Sequence, residues 1–154
     1  MVLPGLTHPG SVVDRQVRLL DVMPTLLETM GAEGPPGLQG TSLLPLLRGE
    51  ELPELPAFSE LSYNKKTSLR SPPWKLIHDP ATDRYRLYDI AGDPGETRNV
   101  IREHPEVAAE LTERMRTIRE AAEAASRDYP HQEGDVALTQ DKIDQLEALG
   151  YVGN

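Results

Sequence analysis

Arg84-Tyr85-Arg86-Leu87-Tyr88-Asp89-Ile90-Ala91-Gly92-Asp93-Pro94-Gly95-Glu96-Thr97-Arg98-Asn99 is the stretch from which the fold of this chain is read. Tyr85 to Asp89 alternate in character like a half-buried strand. Asp93-Pro94-Gly95-Glu96 then supplies a turn, with Pro94 fixing φ and Gly95 allowing φ > 0. The strand therefore ends and the chain reverses. Beyond it, Pro105 to about Arg127 is the longest helical pattern in the sequence. The stretch is the corner between a small sheet and its main helix.

Upstream of the corner, Ala57–Tyr63, Thr67–Arg70 and Trp74–His78 read as short strands, separated by Asn64-Lys65-Lys66 and by Ser71-Pro72-Pro73. Trp74–His78 and Tyr85–Asp89, joined by the loop Asp79 to Arg84, form the clearest antiparallel hairpin. Downstream, Val107, Leu111, Met115, Ile118 and Ala122 recur at helical spacing, with Glu110–Arg114 and Glu123–Arg127 as i,i+4 pairs on the outer face. About 23 residues at 1.5 Å each give roughly 34 Å, enough to cross a four-stranded sheet. The expected class is α+β: an antiparallel sheet of about four strands with a long helix across it. A last short helix spans Thr139–Leu149, with Ile143, Leu146 and Leu149 on one side.

The first third reads differently. Met1 to Val13 is broken by Pro4-Gly5 and Pro9-Gly10 and reads as loop. Asp21 to Met30 is a short helix, with Asp21 as cap, Pro24 in the tolerated first turn and Gly31 as its αL stop. Met23, Leu26, Leu27 and Met30 form its apolar stripe, which needs a surface to pack on. Ser42 to Arg48 is a shorter helix ended by Gly49. Glu50 to Pro56 is a charged, proline-bearing connector and the best internal boundary.

Composition bounds the function. The 154 residues fit about one domain. Sixteen Lys and Arg against 25 Asp and Glu give a net charge of −9, which argues against bulk attraction to nucleic acid or an anionic membrane, while leaving room for a local basic site. There is no Cys, hence no disulfide framework, zinc–thiolate site or thiol nucleophile. Met1 to His8 lack a basic n-region and a long apolar run, so neither an export signal nor a membrane span is expected.

Familiar catalytic signatures are missing: no Gly-x-Ser-x-Gly elbow, Walker loop, Gly-x-Gly-x-x-Gly or His-Glu-x-x-His occurs. The four histidines, His8, His78, His104 and His131, are scattered, with no pair spaced to share a helical face as metal ligands. Asp79, Asp83, Asp89 and Asp93 read as turn and cap residues.

Three collinear segments carry a resemblance. Asp21-Val22-Met23-Pro24-Thr25-Leu26-Leu27-Glu28-Thr29-Met30-Gly31, then Leu38 to Gly49, then Leu87 to Asn99 resemble successive motifs of the sulfatase family, in family order. Leu146-Glu147-Ala148-Leu149-Gly150-Tyr151-Val152 resembles the closing segment of many bacterial members. By this resemblance they are scaffold motifs, and imply the C-terminal portion of an arylsulfatase-like fold in the alkaline phosphatase superfamily.

The resemblance implies hydrolysis of sulfate esters by a formylglycine made within Cys/Ser-x-Pro-x-Arg, a motif absent here. It also implies calcium for the full-length family enzyme, bound by two neighbouring Asp residues and an Asp-Asn pair. Those ligands, and the family's Lys and His sulfate-binding groups, belong upstream of the first matched segment, so no residue here inherits their roles. Residues 1–49 then correspond to the tail end of the large α/β domain, 50–56 to a linker and 57–154 to the small C-terminal subdomain. The chain is expected to be scaffold, inactive alone. Its partner would be the N-terminal catalytic part, or a self-association partner, covering Met23, Leu26, Leu27 and Met30. Glu60, Asn64, Lys65 and Arg70 are candidates for a substrate-cleft wall, against the plainer readings of a Glu60–Arg70 cross-strand pair and a solvated Lys65-Lys66 tip. Two alternatives stand beside this: a stand-alone non-catalytic interaction module, and part of a phosphonate or phosphodiester hydrolase.

Overall fold

The computed structural model describes residues 12–61, 65–127 and 140–148. After a 3-10 turn at Leu19–Asp21 come α1 (Val22–Thr29), α2 (Leu44–Leu47), β1 (Ala57–Glu60), β2 (Thr67–Ser71), β3 (Trp74–Asp79), β4 (Arg84–Asp89), α3 (Pro105–Arg127) and α4 (Gln140–Ala148). The four strands form one antiparallel meander in the order β1-β2-β3-β4. The α+β architecture and the long helix are as the periodicity predicts.

The core lies between the sheet and α3. Leu69, Leu76 and Leu87 stand directly opposite one another on β2, β3 and β4 and are fully buried. Leu111 and Met115 of α3 close over them, with Val100 and Ala108 beside. Ala122 is exposed, so the expected stripe packs on the core only as far as Ile118. Ion pairs on the outer face join Arg116 to Glu113 and Glu120, and Arg119 to Glu123, rather than the expected Glu110–Arg114 and Glu123–Arg127.

Several boundaries differ from expectation. β1 stops at Glu60, and residues 62–64 of the longer expected strand lie outside the described residues. Asp79 and Arg84 are a paired rung of β3–β4, which shortens the hairpin loop to Pro80–Asp83. In the turn after β4, Glu96 and not Gly95 takes the left-handed conformation, at φ 52°. Its side chain is held there by Lys75, whose ammonium donates to both carboxylate oxygens at 2.6 and 2.8 Å. Asp93 and Asn99 act as local backbone partners: Asp93 accepts the amides of Thr97 and Arg98, and Asn99 those of Leu87 and Ile101. α4 agrees with the expected last helix over Gln140–Ala148, while Thr139 and Leu149 lie outside the described residues.

Candidate functional site

Two surfaces present unusual chemistry, and each is built from a small set of hydrogen bonds. The first is the arm of residues 12–49. Asp21 does not cap α1 with its side chain. Its carboxylate sits below the 3-10 turn, accepting the Arg18 amide at 3.0 Å, the Arg18 guanidinium at 2.7 and 3.1 Å, and the Thr41 amide at 2.9 Å. Burial pushes this carboxyl up, but those four donors outweigh it and hold the pKa below its ordinary value of 3.8. Thr25, fully buried, donates to the Asp21 carbonyl and accepts the Leu43 amide. Gly40 completes the junction: a Cβ there would collide with the Leu20 carbonyl. α2 starts at Leu44, not Ser42, with the Ser42 hydroxyl accepting the Leu44 amide at 3.2 Å.

The consequence is a helix turned inside out. α1 packs its polar side, through Asp21 and Thr25, onto the segment leading into α2. The stripe expected to find a surface faces outward: Met23 is 55% exposed, Met30 69% and Leu26 38%, with Leu27 half-buried. Leu19, at 91%, continues the same apolar surface. The arm is tied to the sheet through side chains, the Gln16 amide donating to the carbonyls of Leu55 at 2.8 Å and Arg70 at 3.1 Å, and Arg15 to that of Leu52.

The second surface is the β1–β2 hairpin with the sheet face beyond it. Glu60 stands opposite Thr67, and Arg70 opposite Ala57. The odd separation places Glu60 and Arg70 on opposite faces of the sheet, so the cross-strand pair between them does not form. Glu60 instead meets Lys65 at 3.8 Å, with Lys65 in the left-handed region at φ 56°. Lys66, expected as solvated tip, reaches Asp79 at 3.0 Å and holds that carboxyl below its usual range. Arg70 opens onto a groove of about 470 Å³ lined by Asp14, Gln16, Glu54, Pro73 and Ile90. Asn64 lies outside the described residues. The structure thus brings Glu60 and Lys65 together and sends Arg70 elsewhere. The sequence does not single out Lys75, which stands opposite Arg70, or Arg84 and Arg86 of β4 on the same face, because strand register is invisible in one strand.

His78 and His104 are structural here. His78 stacks on its cross-strand neighbour Tyr85 with ring centroids 4.2 Å apart, and His104 lies against Trp74 at 4.7 Å, its carbonyl accepting the Ala108 amide. Among the described residues no three His, Asp or Glu side chains converge to hold a metal. Those residues do not fit the calcium site that the resemblance implies, and no chemistry is assigned to calcium on them.

A model of the family described as N-sulphoglucosamine sulphohydrolase, C-terminal, matches residues 1–121. The chain belongs to the sulfatase family, and it matches that family's C-terminal portion. Arylsulfatase K of Mus musculus is 33% identical over 132 residues, covering 77% of this chain and 24% of that enzyme. The Delta 4,5-hexuronate-2-O-sulfatase of Bacteroides thetaiotaomicron is 29% identical over 136 residues, covering 82% of this chain and 28% of its own length. Among solved structures, the phosphonate monoester hydrolase of Silicibacter pomeroyi superposes with a TM-score of 0.57 at 26% identity, over 90% of this chain and 30% of that one. This sulfatase-family chain therefore spans about a quarter of the length of the curated relatives it matches. No helix among the described residues is long and apolar enough to cross a membrane.

Proposed function

We propose that this chain is the C-terminal scaffold of a sulfuric-ester hydrolase, inactive alone, which becomes part of an active enzyme when a catalytic segment covers the outward face of α1. The observation that carries this reading is the inverted helix: its polar side is anchored within the chain, and Leu19, Met23, Leu26 and Met30 stand in water. Covering such side chains is worth about 25 cal/mol per Å², a driving force of several kcal/mol for docking. Relatives that run to roughly four times the matched length carry enough additional chain to supply that cover. In this reading residues 1–49 end the large domain, 50–56 link, and 57–154 form the small subdomain.

Of the wall candidates, Arg70, which opens onto the groove beside Glu54 and Pro73, then touches the part of the substrate that does not react. Glu60 and Lys65 pair beyond the other face of the sheet and take no part with it. Arg70→Ala in the reconstituted enzyme should raise KM with little change in kcat, because only uniform binding is lost. An unchanged KM would take Arg70 off the wall.

One observation favours a second chemistry: the phosphonate monoester hydrolase matches over nine-tenths of the chain. The same scaffold serves either an S- or a P-centred ester, and the catalytic segment makes the choice. The purified chain with calcium should turn over neither sulfate nor phosphonate esters; turnover abolished by chelation would contradict the scaffold reading. Sequencing the coding DNA upstream of Met1 tests it from the other side. An in-frame Cys/Ser-x-Pro-x-Arg codon run with paired Asp codons supports a catalytic segment in the same chain. Absence both there and in neighbouring genes would favour a non-catalytic interaction module.

A further inference from the structure

We infer that Met23 and Met30 form a paired oxidation site, at which a peroxide converts both thioethers to sulfoxides and thereby closes the outward face of α1 to an apolar partner. The sequence holds four methionines and no Cys, so no thiol competes for the oxidant. Met23 is 55% exposed and Met30 69%, whereas Met115 is 5% exposed and its Sδ accepts a hydrogen bond from the Thr67 hydroxyl at 3.3 Å. Met1 lies outside the described residues. Oxidation follows access to the sulfur lone pair, which sets the two exposed methionines apart from the one in the core.

Their placement gives the modification its effect. Met30 continues the helical turn, its amide donating to the carbonyls of Leu26 and Leu27. Seven residues at 1.5 Å each put Met23 and Met30 about 10 Å apart along one face. Leu26, 38% exposed, stands between them. In the reaction the sulfur lone pair attacks the peroxide, and the S–O bond forms as the O–O bond breaks. Sulfur gives up two electrons, and the remaining peroxide oxygen leaves as water. A flexible apolar side chain becomes one carrying a strong S=O dipole, at both ends of the stripe. Thiol-dependent sulfoxide reductases reverse the change, so the face is switchable. The inference rests on the reading of this face as a docking surface, and it applies to the chain before it docks, because a covering segment shields both sulfurs.

The test is brief exposure of the full chain to hydrogen peroxide, with peptide mapping by mass spectrometry and Nile red fluorescence as the measure of exposed apolar surface. Met23 and Met30 should oxidise on the order of tenfold faster than Met115, with circular dichroism unchanged. Nile red fluorescence should fall to the level of Met23→Gln/Met30→Gln, whose amides imitate the sulfoxides, and recover after treatment with methionine sulfoxide reductases A and B. Met23→Leu/Met30→Leu should keep its dye fluorescence through the same treatment. Met115 oxidising as fast as the other two, dye binding unaffected by oxidation, or a Leu variant that loses as much dye as the parent would each overturn the inference. None of these measurements uses a catalytic segment, so the inference and the docking reading fail separately. An oxidised chain that loses dye binding yet still reconstitutes activity would sink the docking reading and leave the oxidation site standing.

Discussion

The hydroxyl of Thr25 joins two segments of the arm: it donates to the Asp21 carbonyl at 2.5 Å and accepts the Leu43 amide at 2.9 Å, eighteen residues along the chain. Thr25→Val keeps the shape and removes both bonds, leaving a buried amide without its acceptor at a cost of about 1–3 kcal/mol. The expected outcome is faster hydrogen exchange across residues 41–47 with no change in the sheet.

Asp21 sets a pH limit on the same junction. Its folded pKa lies below the ordinary 3.8, so its contribution is fully present above that value. The contribution is lost as pH falls through the folded pKa, because the unfolded chain takes up the proton first. Protection of the Thr41 amide should therefore fall when the pH drops below about 4. Asp21→Asn should lower that protection at neutral pH and flatten its acid dependence.

The arm should be held less firmly than the sheet. Met23, Leu26 and Met30 of its first helix face water, whereas Leu111 is 3% exposed. Amides of Leu26 and Leu27 should exchange well before that of Leu111. Equal protection of the three would contradict both this ranking and the need for a covering segment.

Met23→Glu with Met30→Lys tests what the exposed face is for. Both side chains lie in water, so the isolated chain should change by no more than about 0.5 kcal/mol. Activity reconstituted with a catalytic segment should be lost. Reconstitution unaffected by two charges would place the docking surface elsewhere.

Glu96 separates backbone strain from ion pairing. Glu96→Ala loses the Lys75 pair and keeps a side chain at φ 52°. Glu96→Gly loses the same pair and relieves the left-handed conformation, by about 1 kcal/mol. Urea midpoints should rank the glycine variant above the alanine variant. For comparison, Leu76→Ala at the centre of the core should cost about 2–5 kcal/mol.

Much of this architecture was written in local patterns. The alternation in Trp74–His78 and Tyr85–Asp89, the breakers between strands and the spacing of Val107, Leu111 and Met115 each report on neighbours within a turn or a hairpin, and there one sequence suffices. The scaffold motifs in Asp21–Gly31, Leu38–Gly49 and Leu87–Asn99 likewise carried the family. The candidate wall was less legible. Glu60, Asn64, Lys65 and Arg70 are wall candidates through the family resemblance, yet alternation sets Glu60 and Arg70 on opposite faces once Ala57 pairs with Arg70.

What the sequence by itself determined is therefore the set of elements, their order and the family they belong to, because propensity, period and turn chemistry act over a few residues. Tertiary structure alone decided which side of each element faces what. α1 has an apolar stripe, but satisfying the buried Asp21 and Thr25 against Thr41 and Leu43 turned its polar side inward. Gly95 was the residue free to adopt positive φ, but the Lys75 ammonium across the sheet drew Glu96 into it. In both places a hydrogen bond between residues far apart in the chain outweighed a local preference of about a kcal/mol, and such bonds exist only after the chain has folded.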